Sequence, residues 1–218
     1  SIAAISLSAS HNAGACTGVA FSALDGSRVV ARTIEWGASV LHSGYVIVPR
    51  GYRQQSFTPE GTDGHVFVSK YGYVGFSTEL DQFIVEGVNE AGLSAGLFFF
   101  PGYGKYVDYN PANKENTISD MQFVAWVLSN FSTIDEVKQG LECMDLVTLH
   151  NAIGAVHWRI SEPSGRMVVL EVIDGVPQFY ENRLGVLTNA PGFEWHMTNL
   201  NNYISLYPGD TPPKDLNE

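Results

Sequence analysis

Short apolar runs separated by Gly and Pro turns dominate the pattern along the chain. Two such runs, Thr17–Ala23 and Arg28–Thr33, flank the turn Asp25-Gly26-Ser27, and this arrangement predicts a β-hairpin. Runs of the same kind predict further strands at Tyr45–Val48, His65–Ser69, Phe83–Val88, Leu93–Phe99, Ala155–Ser161, Met167–Ile173 and Gly185–Thr188.

Helical periodicity is confined to the middle of the chain. Ser119 followed by Gln122 has the pattern of a capping box, and apolar residues recur at helical spacing over Met121–Phe131. A second box, Thr133 with Glu136, predicts the start of another helix. A β-run, a pair of helices and a second β-run indicate one α+β layered domain rather than alternating βαβ units.

Composition narrows the classes of protein that fit this pattern. The 218 residues are 44% apolar and 16% charged, enough for one domain with its own core. The formal net charge of -11, without a Lys/Arg cluster, excludes a nucleic-acid partner. No apolar run reaches the roughly 18–20 residues of a membrane span, because Glu86 and Glu90 interrupt the nearest candidate, Val85–Pro101. The sequence leaves open whether the domain forms a homo-oligomer.

The first fifteen residues differ from the rest. Ser1–Ala15 carries no charge and runs from an apolar stretch into Ala13-Gly14-Ala15, which is typical of the end of a secretory signal with cleavage before Cys16. Two alternatives stay open: a first strand over Ile2–Leu7, and a bacterial lipoprotein signal. We therefore expect a leader over residues 1–15, a domain over residues 16–218, and a periplasmic or secreted protein of bacterial type.

A cysteine that becomes the first residue carries two reactive groups, a thiol nucleophile and an α-amine that can act as its own base. The predicted hairpin brings Arg32 back towards Cys16, where a cation would stabilise the thiolate. Glu35 could orient the α-ammonium. The alternative is that Cys16 is a small buried hydrophobe and that Arg32 and Glu35 form an ordinary surface pair.

Other chemistry-bearing residues receive structural interpretations. Cys143 lies in a helical stretch and is predicted to be buried, although one disulfide with Cys16 stays open. His157 beside Trp158 is predicted to lie in the core or to support the site, because a nucleophile with its own amine needs no histidine base. No His, Cys, Asp or Glu group has the spacing of metal ligands, so we expect no metal and no cofactor.

Several motifs together resemble the choloylglycine hydrolase family of N-terminal-nucleophile hydrolases, which contains bile salt hydrolases and penicillin V acylases. The resemblance runs in the family's order from Cys16 to about Pro208. The matching segments are Cys16-Thr17-Gly18, Asp25-Gly26, Ala31-Arg32-Thr33-Ile34-Glu35-Trp36-Gly37, Tyr45-Val46-Ile47-Val48-Pro49-Arg50-Gly51, Glu86-Gly87-Val88-Asn89-Glu90-Ala91-Gly92-Leu93, Phe100-Pro101-Gly102-Tyr103, Val156-His157-Trp158, Leu187-Thr188-Asn189-Ala190-Pro191 and Thr198-Asn199-Leu200-Asn201-Asn202-Tyr203.

The resemblance implies a four-layer αββα sandwich and a role for each matching site residue. Cys16 would be the nucleophile, Arg32 would lie beside the thiolate, and Asn189 would donate to the oxyanion, although Thr-Asn-Ala-Pro also suits a simple turn. The acidic partner falls at Glu35, where many members have Asp. A substrate-site position falls at Phe99, which offers its backbone N–H. A further family arginine would lie beyond residue 218, so the domain is expected to lack its C-terminal part.

The resemblance also implies a substrate class, an amide joining a bulky apolar acyl group to a polar amine. Conjugated bile salts, which would release glycine or taurine, are the first expectation; penicillin V and acyl-homoserine lactones are the alternative. A different class of function, a non-catalytic envelope protein anchored by lipid on Cys16, stays open as well.

Overall fold

The computed structural model describes residues 15–35, 40–149, 155–206 and 209. The expected leader, apart from Ala15, therefore lies outside the described residues, as do Trp36 and Gly37 of the family-like motif and most of the polar C-terminal tail. Within the part that is described, no helix is both long enough and apolar enough to cross a membrane.

The chain forms fourteen strands and three α-helices in the described ranges. The helices are α1 (Phe123–Asn130), α2 (Ile134–Leu141) and α3 (Phe193–Leu200). The strands are β1 (Ala15–Ser22), β2 (Arg28–Glu35), β3 (Ser43–Val48), β4 (Arg53–Gln55), β5 (Val66–Val68), β6 (Tyr73–Thr78), β7 (Leu80–Asn89), β8 (Ser94–Phe99), β9 (Thr117–Ser119), β10 (Asp145–Val147), β11 (Val156–Ser161), β12 (Met167–Ile173), β13 (Val176–Glu181) and β14 (Val186–Leu187).

Two antiparallel sheets form the body of the domain. The larger has seven strands in the order β13-β12-β11-β8-β7-β6-β3, and the smaller has three in the order β14-β1-β2. β1 and β2 are the two arms of the predicted hairpin, paired from Ala15 with Glu35 to Ser22 with Arg28. The hairpin prediction is therefore confirmed, and Cys16 lies on the central strand of the smaller sheet.

The core lies on both faces of the larger sheet. On one face, α1 is buried almost all round and packs on β7 and β8, while Ile134, Val137 and Leu141 of α2 join the same apolar cluster. On the other face the smaller sheet packs through a second cluster that contains Cys16 and Phe98. Burial of these apolar faces is what holds one helical layer and two sheets together.

The two predicted helix starts have different outcomes. Thr133 accepts a hydrogen bond from Glu136 N at 3.2 Å and begins α2, as predicted. The box at Ser119 is wrong, because Ser119 makes no side-chain cap and α1 begins only at Phe123, after a 3₁₀ turn. The Ser119 hydroxyl donates instead to Gln122 Oε1, at 3.1 Å.

The prediction for Cys143 is also wrong. α2 ends at Leu141, so Cys143 lies in the turn that follows, where its side chain is exposed. Cys16 is buried and both thiols are free, which excludes a bridge between them in this structure.

Candidate active site

Cys16 lies at the start of β1 with its side chain between the two sheets. Cys16 is 8% exposed and belongs to the cluster formed with Phe98, Leu187 and Phe193. Residues that face each other across antiparallel strands share one side of the sheet, so Cys16 shares this side with Ile34, and Gly18 shares it with Arg32. The thiol therefore points into the domain rather than to the outside.

The strand register places Asn189 opposite Cys16. β14 pairs with β1 through Gly18 with Leu187, and two residues further on the same register brings Asn189 level with Cys16. In the amide orientation that satisfies both neighbours, the Asn189 side chain accepts from Cys16 N at 2.8 Å and donates to Phe99 O at 3.1 Å. An amide carries two N–H bonds, so this donation is compatible with a second one to a developing oxyanion.

Arg32 joins the hairpin to the larger sheet. Its Nη1 donates to Val85 O at 2.9 Å and to Leu97 O at 2.5 Å, and its guanidinium carbon lies 4.4 Å from the centre of the Phe98 ring. The β7–β8 pairing runs from Val88 with Ser94 to Glu86 with Gly96, so Val85 and Leu97 are where the next pair would form. The guanidinium occupies that place, and the two strands separate around it.

Phe99 lies on β8 just beyond this separation. Phe100 N donates to Ala155 O at 2.8 Å, so the backbone polar groups of Phe100 face β11. Successive residues of a strand turn their backbone polar groups to opposite sides, and those of Phe99 therefore face away from β11, towards Asn189 and the site.

These residues meet at a cavity of about 300 Å³. Cys16 and Arg32 lie on its wall with Phe99, and its other lining side chains are mainly apolar: Ile34, Leu41, Val85, Leu97, Met121 and Val156, with Thr78 and Glu79. An apolar pocket with a few polar groups at one end is the usual form of a small-molecule site.

A buried ion pair lies beneath the site. The guanidinium of Arg159, which is fully buried, contacts the carboxylate of Glu86, and its carbon is 5.8 Å from the centre of the Phe98 ring. Burial raises the pKa of Glu86, against the opposing effect of Arg159 and Arg32, and burial lowers the pKa of Arg159.

Four of the five predicted site residues thus meet at one place, namely Cys16, Arg32, Phe99 and Asn189. The fifth, Glu35, is level with Ala15 on the opposite side of the hairpin from the thiol, and its side chain is exposed. Its proposed contact with the α-amine stays a prediction. Among residues 15–35, 40–149, 155–206 and 209, no cluster of three or more His, Cys, Asp or Glu side chains could hold a metal ion.

A family comparison agrees with this geometry. The model of the linear amide C–N hydrolases of the choloylglycine hydrolase family matches residues 16–218. The chain belongs to this family. The match begins at Cys16, the residue that the sequence motifs place as the nucleophile.

Individual relatives support the family and the fold. A bile salt hydrolase/transferase of Clostridium perfringens is 30% identical over 209 residues, which are 93% of this chain and 62% of the relative. The crystal structure of a mutant conjugated bile acid hydrolase from the same species has a TM-score of 0.75 at 30% identity and covers 92% of this chain and 61% of that one. The structure of a penicillin V acylase from Agrobacterium tumefaciens has a TM-score of 0.68 at 26% identity and covers 86% of this chain and 56% of that one.

These comparisons confirm the family and the α+β sandwich expected from the sequence. The chain spans less than two thirds of the length of these choloylglycine hydrolase relatives. Sequence reasoning missed most of the cavity wall, because Leu41, Met121 and Val156 come from distant segments. Ile34 and Leu97 did have a local signal, since each lies two residues along a strand from a predicted site residue, Arg32 or Phe99, and so shares its face.

Proposed function

We propose that this chain, once it begins at Cys16, is an N-terminal cysteine amidohydrolase. The observation that carries the proposal is the position of Cys16 N, 2.8 Å from the side-chain oxygen of Asn189 at an apolar cavity. The prospective nucleophile and base then belong to one residue, Cys16, and the prospective oxyanion donor, Asn189, is in direct contact with it. The membership of the chain in a family of linear amide hydrolases supports the same chemistry.

In the proposed reaction the free α-amine of Cys16 takes the thiol proton as Sγ bonds to the amide carbonyl carbon. The oxyanion of the tetrahedral intermediate accepts from the Asn189 side chain and the Phe99 N–H. The carbon–nitrogen bond then breaks, and the departing amine takes the proton from the α-ammonium. Water attacks the resulting thioester, which releases the carboxylic acid and restores the thiol.

The proposed substrate joins a bulky apolar acyl group to a polar amine. The mainly apolar wall of the cavity, from Ile34 to Val156, would bury the acyl group. Conjugated bile salts are the first candidate, supported by the names of the Clostridium relatives. Penicillin V, named for the Agrobacterium structure, and acyl-homoserine lactones are the alternative.

The decisive experiment measures release of glycine or taurine from conjugated bile salts by protein that begins at Cys16, beside hydrolysis of penicillin V. Cys16→Ala should abolish hydrolysis of every substrate with the fold retained, because it removes the reacting sulfur. Cys143→Ala is the matched control, since its thiol is exposed in a surface turn, and it should keep full activity. Activity of Cys16→Ala above a few per cent of wild type would contradict the assignment of the nucleophile.

The leader supplies a second test of the mechanism. While Ala15 precedes Cys16, the nitrogen of Cys16 is a peptide amide that cannot act as a base near neutral pH. We therefore propose that the chain with its leader is an inactive precursor, and that it is exported to the periplasm or the medium. Equal hydrolysis by the chain with its leader attached and by protein that begins at Cys16 would refute the amine as the base.

Mass spectrometry of the mature N-terminus of protein from a fractionated bacterial culture completes this test. A free cysteine in the periplasm or the medium is the expected result. A diacylglycerol adduct on Cys16 would contradict catalysis and indicate a lipid-anchored envelope protein.

A further inference from the structure

A buried His–Glu pair lies between the larger sheet and the segment that carries Asn189. His157 of β11 and Glu171 of β12 continue the register set by Trp158 with Leu170, so they face each other across the two strands. Their side chains are 0% and 2% exposed, and His157 Nδ1 lies 3.2 Å from Glu171 Oε1. Apolar side chains would fill such a place at lower desolvation cost, so packing alone does not account for the pair.

The pair contacts both ends of residues 188–193. His157 Nε2 lies 3.0 Å from Thr188 O, and Phe193 N donates to Glu171 Oε1 at 2.8 Å. A carbonyl oxygen can only accept, so Nε2 of His157 carries a hydrogen and donates it. The other ring nitrogen, Nδ1, contacts the Glu171 carboxylate. Contacts at both nitrogens fix the plane of the His157 ring.

Two further contacts hold the same region. The His157 ring is stacked on the Phe100 ring, with centroids 4.4 Å apart and an interplanar angle of 7°. From α3, just beyond the segment, His196 Nε2 donates to Asn189 O at 3.1 Å. The backbone of Asn189 is therefore held directly by His196, and on either side by the buried pair.

We propose that His157 and Glu171 are positioning residues that hold the Asn189 side chain opposite Cys16. The inference rests on the proposed function in so far as Asn189 is taken to act on the reacting carbonyl. Neither residue of the pair lines the cavity, and both contact the segment that carries Asn189, through Thr188 O and Phe193 N. A displacement of about 1 Å in a catalytic group is enough to lower a rate about a hundredfold, so loss of the pair should appear in catalysis.

The variant that tests the proposal is His157→Phe, which keeps an aromatic ring against Phe100 and removes both nitrogens. Trp158→Phe is the matched control, because Trp158 is also fully buried on β11 but faces the opposite side and packs on Phe123, 4.7 Å between ring centroids. Both changes replace a buried ring that contains nitrogen with a phenyl ring. Only the first removes a contact with residues 188–193.

The first measurement is amide hydrogen exchange by mass spectrometry and needs no substrate. In His157→Phe, peptides that cover residues 188–196 should exchange about tenfold faster or more, as expected for a segment that has lost its tertiary contacts, while β1 and β2 keep wild-type rates. In Trp158→Phe the exchange of residues 188–196 should match wild type. Wild-type exchange of these peptides in folded His157→Phe would overturn the proposal, whatever the protein hydrolyses.

The second measurement is a double-mutant cycle with Asn189→Ala in protein that begins at Cys16. Alone, His157→Phe should lower kcat about 10- to 100-fold with KM nearly unchanged, and Glu171→Gln should act in the same direction. Combined with Asn189→Ala, His157→Phe should lower kcat further by less than about threefold, because the group that it positions is gone.

The outcomes separate this proposal from the proposed function. If the two fold-losses of kcat multiply in the double variant, His157 has a general structural role. That result would overturn the proposal even if hydrolysis is confirmed. Absence of amide hydrolysis by the wild-type protein would overturn the proposed function, and the exchange measurement would then decide the positioning role alone. If Glu171→Gln or His157→Phe does not fold, the other variant is measured in the same two assays.

Discussion

Replacement of Arg32 by Met separates the structural from the chemical task of this residue. The guanidinium is the donor for two carbonyl oxygens, Val85 O and Leu97 O, at the point where β7 and β8 stop pairing. Methionine fills a similar volume and offers no donor. The strands would then have to close the gap, admit water or leave both carbonyls without a partner.

The magnitude follows from these two bonds. A buried carbonyl left without a donor costs about 1–3 kcal/mol, and both bonds of Arg32 are only partly buried, so we take the lower half of the combined range. Arg32→Met should therefore lower the free energy of unfolding by about 2–4 kcal/mol. Arg32→Lys should lower the free energy of unfolding by less than Arg32→Met, because the ammonium keeps the charge and can still donate. It should not match wild type, because the lysine side chain is shorter and reaches fewer acceptors.

Urea unfolding followed by tryptophan fluorescence measures the loss, with the m-value as a check on the two-state assumption. Arg50→Met is the matched control, since the Arg50 side chain is 69% exposed in a surface pair with Glu90 and its removal should change stability little. A loss below about 1 kcal/mol in Arg32→Met would refute the argument that the two carbonyls depend on this side chain.

Three further predictions test other parts of the domain. Asn189→Ala should lower kcat about 10²- to 10³-fold with a small change in KM, and an effect on KM alone would make Asn189 a substrate-binding residue. Gly18→Ala should destabilise the fold by about 1–3 kcal/mol in thermal unfolding, because the added Cβ would lie 2.6 Å from Phe98 Cζ; Gly44→Ala, whose Cβ would lie 3.5 Å from its nearest neighbour, is the control. Burial raises the pKa of Asp120 to about 6, so the folded state holds this proton more tightly and wild-type stability falls as pH rises from about 4 to about 6. The free energy of unfolding of Asp120→Asn should therefore exceed that of wild type by up to about 3 kcal/mol at pH 7.5. The difference should vanish at pH 4, and urea unfolding at both pH values measures it.

The hairpin was predictable because its causes are local. Asp25 Oδ1 accepts from Ser27 N at 2.9 Å, and Gly26 takes a φ of 86°, a conformation that glycine adopts without strain. This turn fixes the pairing of both arms. The placement of Cys16 and Arg32 on one face then follows from alternation along the strands.

The start of α1 was mispredicted because its cause is tertiary. The Gln122 side chain, which a capping box would turn back to the helix start, accepts instead from Phe57 N at 2.6 Å and donates to Gln55 O at 3.2 Å. It ties the start of the helix to the end of β4 and the residues that follow it, and no local pattern encodes that partner.

Asn189 was identified by resemblance alone, because its position depends on long-range pairing. β14 has only two residues, too few for a periodic signal, and its partner β1 lies about 170 positions earlier in the chain. α3 was missed for a related reason. Among its residues only Phe193 is buried, so the sequence shows no apolar stripe there.

The Arg32 guanidinium bridges β7 and β8 where their pairing stops, and it is also a positive charge on the wall of the cavity. If the proposed reaction is correct, a shorter residue at position 32 that lets the strands move also removes the cation from the wall that carries Cys16. Under the proposed function, a substitution at this position that changes acyl preference would then also lower the rate of hydrolysis. The proposed function therefore predicts that substrate range is changed more readily at other apolar residues of the cavity wall, such as Leu41 or Met121.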